Sequence, residues 1–262
     1  MKDKIYSNVK NKLKEILRNK FSTYTPKDNY MPFHTGLLGK DRLALFSFIH
    51  SLNTNFGTTI YEPVARELAK GKFKISENQV KIGREIYKDS DNYIGNTMRE
   101  LKAGNIDPDK KKELMELKKT IPDEIDKNKI ISIKPTKVDL YLEDYEGNIY
   151  LFDIKSPKPN KGEFEGFKRT LLEWAGISLL KDSQRNIYTG IAIPYNPFYP
   201  EEYNRWTMKG MLDIKEELLV AEGFWDFLGG EGTYDRLLKC FEEVGVEMRD
   251  EIDTFFKKFQ KK

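Results

Sequence analysis

Two carboxylates and a lysine carry most of the chemistry this chain can offer: Asp139 in Lys137-Val138-Asp139, and Asp153 with Lys155 in Asp153-Ile154-Lys155. Strand side chains alternate faces with period two, and residues 138–143 and 149–155 both read as strands. Between them, Asp144-Tyr145-Glu146-Gly147-Asn148 has hairpin-turn chemistry. A loop centred on Glu146 sets Asp139 opposite Asp153, and directly opposed residues share a face. The even positions Val138, Leu140, Leu142, Tyr150, Phe152 and Ile154 are then all apolar or aromatic and are predicted to pack on a core. The odd positions Asp139, Glu143, Asp153 and Lys155 are predicted to carry the chemistry. A one-residue slip would mix the two sets, so the pattern itself favours this register. Hard oxygen ligands beside an ammonium suit a divalent cation and a phosphodiester. The hairpin alone leaves two readings open, such a site or a surface hairpin with solvated charges. The following loop, Ser156-Pro157-Lys158-Pro159-Asn160-Lys161-Gly162, ends the ladder with proline and brings more positive charge beside the acids.

Composition narrows the alternatives. A chain of 262 residues suits one large unit. The expected organisation is a mainly helical part over 1–130, a hairpin-helix-strand core over 131–195, and a loop followed by helices over 196–262. The 45 Lys+Arg against 42 Asp+Glu leave only +3, so any nucleic-acid contact must rest on local patches. The single Cys240 excludes a disulfide framework and a cysteine-rich zinc site, and fits a reducing cytoplasm. His34 and His50 are too few for a histidine-based metal centre and are read as structural. The lysines of the first residues punctuate an amphipathic helix rather than precede an apolar run, so no signal peptide is expected. No stretch approaches the length of a membrane span.

The elements that must position the acids follow from periodicity. Ile5, Val9, Leu13 and Leu17 mark a first helix, and 21–39 reads as a loop. Residues 41–52 read as a buried helix, 53–59 as a break with capping residues, and the helix that follows carries Glu62. A short strand is expected within 73–82. Residues 91–119 read as a charged helical insertion, broken near Gly104, with a solvated face. After the hairpin, Phe164, Phe167, Leu171, Ala175 and Leu179 form the core stripe of a helix, and Glu165, Lys168, Arg169 and Glu173 are placed off it. A strand over 186–193, a long loop over 196–211, a strand near 217–221, a short aromatic helix over 223–230 and a terminal helical region complete the chain. The order hairpin, helix, strand predicts an α/β (α+β) fold, a central mixed sheet flanked by helices.

In four stretches the chain resembles the TdeIII family of type II restriction endonucleases, within the PD-(D/E)XK nuclease superfamily. They are Pro32-Phe33-His34-Thr35-Gly36-Leu37-Leu38-Gly39-Lys40-Asp41; the run from Ser47 through Asn53-Thr54-Asn55-Phe56-Gly57 to Glu62; Val138-Asp139 through Asp153-Ile154-Lys155 and its Pro-Lys-Pro-Asn-Lys loop; and Asn196-Pro197-Phe198, Arg205-Trp206-Thr207 and Gly223-Phe224-Trp225-Asp226-Phe227-Leu228-Gly229-Gly230. The chain departs from the superfamily name at one place, where Val138 stands before Asp139 instead of proline.

The resemblance implies a restriction-endonuclease-like core and magnesium-dependent cleavage of double-stranded DNA leaving 5′-phosphates, with manganese able to substitute. It implies Asp139, Asp153 and the main-chain carbonyl of Ile154 as metal ligands, and Lys155 beside the attacking water. It adds Glu62 as a further acid; the alternative for Glu62 is an ordinary helix N-terminal residue favoured by the macrodipole. Lys158, Lys161, Lys168 and Arg169 are candidates for phosphate contacts, and Arg205, Trp206 and Lys209 for recognition. A homodimer would match a palindromic site, joined through the terminal helix or the aromatic 223–230 segment. A cognate DNA methyltransferase would be its functional partner, and sites such as GGNCC are associated with the family. A repair or recombination nuclease on the same core, or a silent DNA-binding protein, are the competing readings.

Overall fold

The structure, a computed structural model, describes residues 1–25, 31–134, 137–158, 163–204, 208 and 210–260. The described strands are β1 (Ile75–Lys81), β2 (Glu85–Tyr87), β3 (Ile130–Ser132), β4 (Lys137–Glu143), β5 (Ile149–Ile154), β6 (Ile187–Ile193) and β7 (Leu218–Val220). The helices are α1 (Asp3–Thr23), α2 (Pro32–Leu38), α3 (Lys40–Phe56), α4 (Glu62–Ala69), α5 (Lys88–Ala103), α6 (Lys110–Lys119), α7 (Glu163–Lys181), α8 (Ile214–Glu217), α9 (Glu222–Gly229), α10 (Thr233–Glu247) and α11 (Arg249–Gln260).

The β4–β5 hairpin adopts the register its alternation dictates. Leu140 faces Phe152, Leu142 faces Tyr150 and Glu143 faces Ile149. One further step along this register sets Asp139 across from Asp153. The Asp144 carboxylate closes the turn by accepting the backbone N–H groups of Glu146 (3.0 Å) and Asn148 (2.9 Å), and Gly147 takes φ +85°, a conformation that suits only glycine well. β5 then pairs in parallel with β6, and β6 with β7, while β1 pairs antiparallel with β4. The result is a five-stranded mixed sheet of order β1-β4-β5-β6-β7, with β2 and β3 forming a separate pair.

Helices cover both faces of this sheet. α7 joins the two parallel strands and is apolar nearly all round: Phe164, Leu171, Leu172, Trp174, Ala175, Ile177 and Leu179 are all buried. Its cluster includes Ile149, Leu151, Ile187, Ile191 and Ile193 of the sheet and Ile94, Met98 and Leu117 from α5 and α6. The opposite cluster joins Leu140, Leu142, Phe152 and Ile154 to α1, α4, α9 and α10, whereas Val138, expected on that face, packs in the α7 cluster, where the alternation is interrupted beside Asp139.

Several expectations are corrected. The odd-numbered face of the hairpin is not an open chemical face, because a parallel strand pair needs both faces covered and Ile149 and Leu151 lie under α7. The charge run of α5 and α6 is not a solvated insertion: Lys110, Glu113 and Leu117 recur at helical spacing and are buried. Residues 21–39 are not all loop, since α1 runs to Thr23 and α2 occupies Pro32–Leu38. α3 is not a buried helix, for Leu45, Phe46 and Ile49 are exposed, while Phe48 is buried against Phe21 and Phe255. Residues 53–59 do not break the helix; α3 passes through a π-helical turn, Gly57–Tyr61, straight into α4.

Candidate active site

β4 and β5 deliver Asp139, Asp153 and Lys155 to one end of the hairpin, where the ladder stops. The Lys155 ammonium lies 2.7 Å from Asp153 Oδ1 and 4.6 Å from the centre of the Phe167 ring on α7. Asp139 is fixed through both oxygens: Oδ2 accepts the backbone N–H of Ile154 (2.9 Å), and Oδ1 accepts Nε2 of Gln79 (3.0 Å). The same Gln79 nitrogen donates to Glu62 Oε2 at 2.8 Å, so the acid of α4 joins the acids of the hairpin through one amide.

Glu62 is 3 % exposed, and its own N–H bonds to the Gly57 carbonyl in the π-helical turn. It therefore does not occupy a free helix N-terminus, and the macrodipole reading no longer accounts for it. A π-helical turn within an otherwise α-helical run is a frequent companion of functional sites. Here it carries the chain from Phe56 to Glu62 around a cleft of about 660 Å³ lined by Phe56, Tyr61, Glu62, Asp139, Lys155 and Tyr195, among others. Burial raises the Glu62 pKa above the ordinary carboxylate range; Gln79 opposes that shift and Asp153 adds to it. Burial also pushes Asp153 up to about 7, with Lys155 pulling it down and the adjoining Asp139 carboxyl pushing it further up.

Three acids against Lys155 leave the cluster short of positive charge. The donor chemistry suits a hard divalent ion, which keeps several waters and needs only one or two protein carboxylates. A dedicated three-acid cage is absent: among the described residues no three His, Cys, Asp or Glu side chains gather closely enough to enclose a metal. Asp139 and Asp153, with the Ile154 carbonyl, form the set that fits.

The other candidates divide. Lys168 is corrected: it is fully buried, bonded to Glu113 (2.5 Å) and Glu217 (2.7 Å), and no phosphate can reach it. Arg169 is half-exposed but engaged by Asp91 (3.2 Å) and Glu173 (2.7 Å). Lys158 is exposed, its ammonium 5.3 Å from the centre of the Phe198 ring. Lys161, Arg205, Trp206 and Lys209 lie outside the described residues. Phe224 and Trp225 of α9 are core, and the Trp225 indole donates to the Pro194 carbonyl at 2.7 Å, so these two rings are spent on packing within the chain. Sequence reasoning missed Gln79, Tyr61 and Tyr195. Tyr61 sits one residue before Glu62 and could have been found by asking what lines its helix; nothing local marks Gln79.

Comparison with known proteins places the sequence among type II restriction enzymes. The sequence profile of the HinfI type II restriction endonuclease family matches residues 1–245. The chain is 26 % identical to the type II restriction enzyme HgiCII of Herpetosiphon aurantiacus, over 84 % of this chain and 80 % of that one. It is 27 % identical to the type II restriction enzyme MjaII of Methanocaldococcus jannaschii, over 92 % of this chain and 71 % of that enzyme. It is 25 % identical to HgiEI of Herpetosiphon aurantiacus, also a type II restriction enzyme, over 96 % and 94 %. With a mixed sheet flanked by helices and a family match over most of its length, the chain belongs to the HinfI family of type II restriction endonucleases.

Proposed function

We propose that this protein makes magnesium-dependent, sequence-specific double-strand cuts in DNA in the cytoplasm, hydrolysing phosphodiesters to leave 5′-phosphates. The observation that carries the reading is the Asp153–Lys155 pair at 2.7 Å beside the doubly anchored Asp139, at the mouth of a cleft, in a chain of this family. Asp139, Asp153 and the Ile154 carbonyl would hold the ion, with Glu62 acting beside them through water. A bound magnesium ion, or manganese in its place, supplies a Lewis acid for the phosphoryl oxygen. Lys155 orients the attacking water and offsets the negative charge that builds on phosphorus. Lys158 and Lys161 hold the phosphate backbone, and Arg205, Trp206 and Lys209 take part in recognition. The TdeIII-like stretches support a GGNCC-like target, and a cognate methyltransferase protects host DNA.

Two copies act together, since a two-fold dimer sets one site on each antiparallel strand. Phe33, Leu37 and Leu38 of α2 and Leu45, Phe46 and Ile49 of α3 are exposed apolar side chains, and the far end of α3, at Asn53 and Phe56, lines the cleft. That is the kind of patch a second subunit covers, and it supports these helices as a contact beside the terminal helix and the 223–230 segment.

Digestion of a known genome with magnesium, followed by end sequencing, tests the activity, target and stagger together. A single recurrent sequence with 5′-phosphate ends is expected. Random ends, or a preference for branched substrates, would favour a repair nuclease instead. Asp153→Ala and Lys155→Ala are each expected to lower cleavage by at least about 10³-fold, the scale on which an essential charge-stabilising group acts, while retaining substantial DNA binding.

A further inference from the structure

Gln79 stands in the middle of β1 with φ +56°, one of only two described non-glycine residues with positive φ. Its neighbours Asn78 and Val80 keep their places opposite Leu140 and Val138 of β4. The left-handed kink at Gln79 therefore leaves the ladder intact on either side and re-aims one side chain. A non-glycine residue in this conformation costs on the order of 1–3 kcal/mol, and such strain persists where the surroundings hold it for a reason. The beneficiary here is visible. The re-aimed Nε2 donates to Glu62 Oε2 and to Asp139 Oδ1, 2.8 Å and 3.0 Å away. The adjacent Asn78 amide holds the Asp139 main-chain carbonyl at 2.9 Å, so consecutive residues of β1 brace this acid at two points.

The choice of side chain matters as much as its position. A carboxamide NH₂ offers two donors and no charge. A lysine at 79 would also bridge the two acids, but it would neutralise them and compete with any cation. A glutamate has nothing to donate. Gln79 fixes the spacing and orientation of Glu62 and Asp139 while leaving their charge, and the remaining lone pairs of each oxygen, free for an ion.

We propose that Gln79 is a positioning residue, a neutral strut that preorganises Glu62 and Asp139 for divalent-cation binding. The inference rests on the metal-dependent nuclease reading above and assigns a specific dependence of cation affinity to this residue. Groups that hold metal ligands from behind commonly change affinity by about 10–100-fold when removed, and an effect of that size is expected here.

Gln79→Asn provides the test, with Gln79→Gly beside it. Asparagine and glycine both accept a left-handed backbone, but asparagine is one methylene too short for both carboxylates and glycine has no side chain. Manganese binding to the DNA-free protein, measured by calorimetry, is expected to weaken about 10–100-fold in both variants. Each variant should still unfold in one cooperative transition in chelator, so that the loss of affinity is read on folded protein. Cleavage should recover as manganese is raised, because the ligands remain. Unchanged manganese affinity in either folded variant would overturn the strut. So would failure of both variants to fold, which would make residue 79 a support of the strand alone. Unaltered protein that takes up no manganese at all would instead overturn the metal-dependent reading, an outcome visible before any variant is made.

Discussion

The buried cluster of Lys110, Lys168, Glu113 and Glu217 and the half-buried cluster of Glu62, Asp139, Asp153 and Lys155 arrange their charges oppositely. In the first, two lysines meet two glutamates between α6, α7 and α8, with Lys110 2.9 Å from Glu217 and Lys168 bridging Glu113 and Glu217. Burial pushes Lys110 down and Glu113 up, while the two lysines outweigh burial at Glu217 and hold it below its usual range. Glu217 also accepts the Asp213 N–H at 2.9 Å, so the group is tied into the start of α8. In the second cluster three acids face Lys155, exposed Lys137 acts on Glu62 only through space, and a neutral amide bridges two of the acids. A cluster balanced in charge, even with one Glu113 oxygen left without a hydrogen bond, locks helices together. An unbalanced one, open to a cleft, has room for charge that arrives from outside.

Breaking the balance should cost most. Lys168→Met leaves Glu113 and Glu217 buried without their shared partner, and such losses run to about 3–5 kcal/mol. For a protein of this size that lowers the thermal midpoint by on the order of 10 °C. Adding Glu113→Leu, which leaves Lys110 and Glu217 as a balanced pair, should recover most of the loss. A single variant as stable as the unaltered protein would show that the cluster locks nothing. Cleavage per folded molecule, assayed well below the midpoint, should be unchanged by Lys168→Met; a lowered salt dependence of DNA binding would restore Lys168 as a phosphate contact.

Relieving the imbalance should act in the other direction and more modestly. Asp153 rises from 3.8 to about 7 on folding, chiefly through burial. The folded state then binds a proton that the unfolded chain has already released, so stability falls as pH rises from about 4 to about 7. In chelator at pH 8, Asp153→Asn removes that penalty and should raise the midpoint by a few degrees, on the order of 1–3 kcal/mol after Lys155 loses its partner. The advantage should shrink toward pH 4, and cleavage should be lost throughout. A variant less stable than the unaltered protein at pH 8 would mean that Asp153 is already compensated, and the contrast between the two clusters would lose its basis.

How much of this was legible in the sequence depends on how local each signal is. The hairpin, its register and its turn could be read because alternation and turn chemistry lie within about a dozen residues. The corrected lysine was legible too, had spacing been followed: Lys168 is four residues after Phe164 and three before Leu171, on the same helical face. Its charge masks that position, because a lysine on a helix ordinarily reads as solvated. Lys110, Glu113 and Leu117 repeat the lesson on α6. The continuity from α3 into α4 was hidden because Asn53, Gly57, Thr58 and Thr59 are poor helix formers, and the π-helical turn accommodates them. Gln79 had no local signal whatever. Its backbone conformation is imposed by contacts to residues 17 positions earlier and 60 positions later in the chain.

The smallest expected effects concern cations at the surface, where the contrast between engaged and uncommitted charge can be sharpened. Arg169 is half-exposed and held by Asp91 and Glu173. Lys158 is exposed on the loop beyond β5, over the Phe198 ring. A cation that has already exchanged its counterions for carboxylates releases few when DNA arrives, whereas a solvated one contributes nearly its full share to the salt dependence of binding. Lys158→Ala should therefore weaken DNA binding and flatten the logarithmic salt slope by about one unit. Arg169→Ala should leave that slope nearly unchanged and alter stability by no more than about 1 kcal/mol, the range of exposed ion pairs. Binding titrations at several salt concentrations, with calcium in place of magnesium, separate the two. A slope that flattens equally for both variants would mean that Arg169 leaves its carboxylates when DNA binds, and that an ion pair in the free protein does not mark a cation as structural.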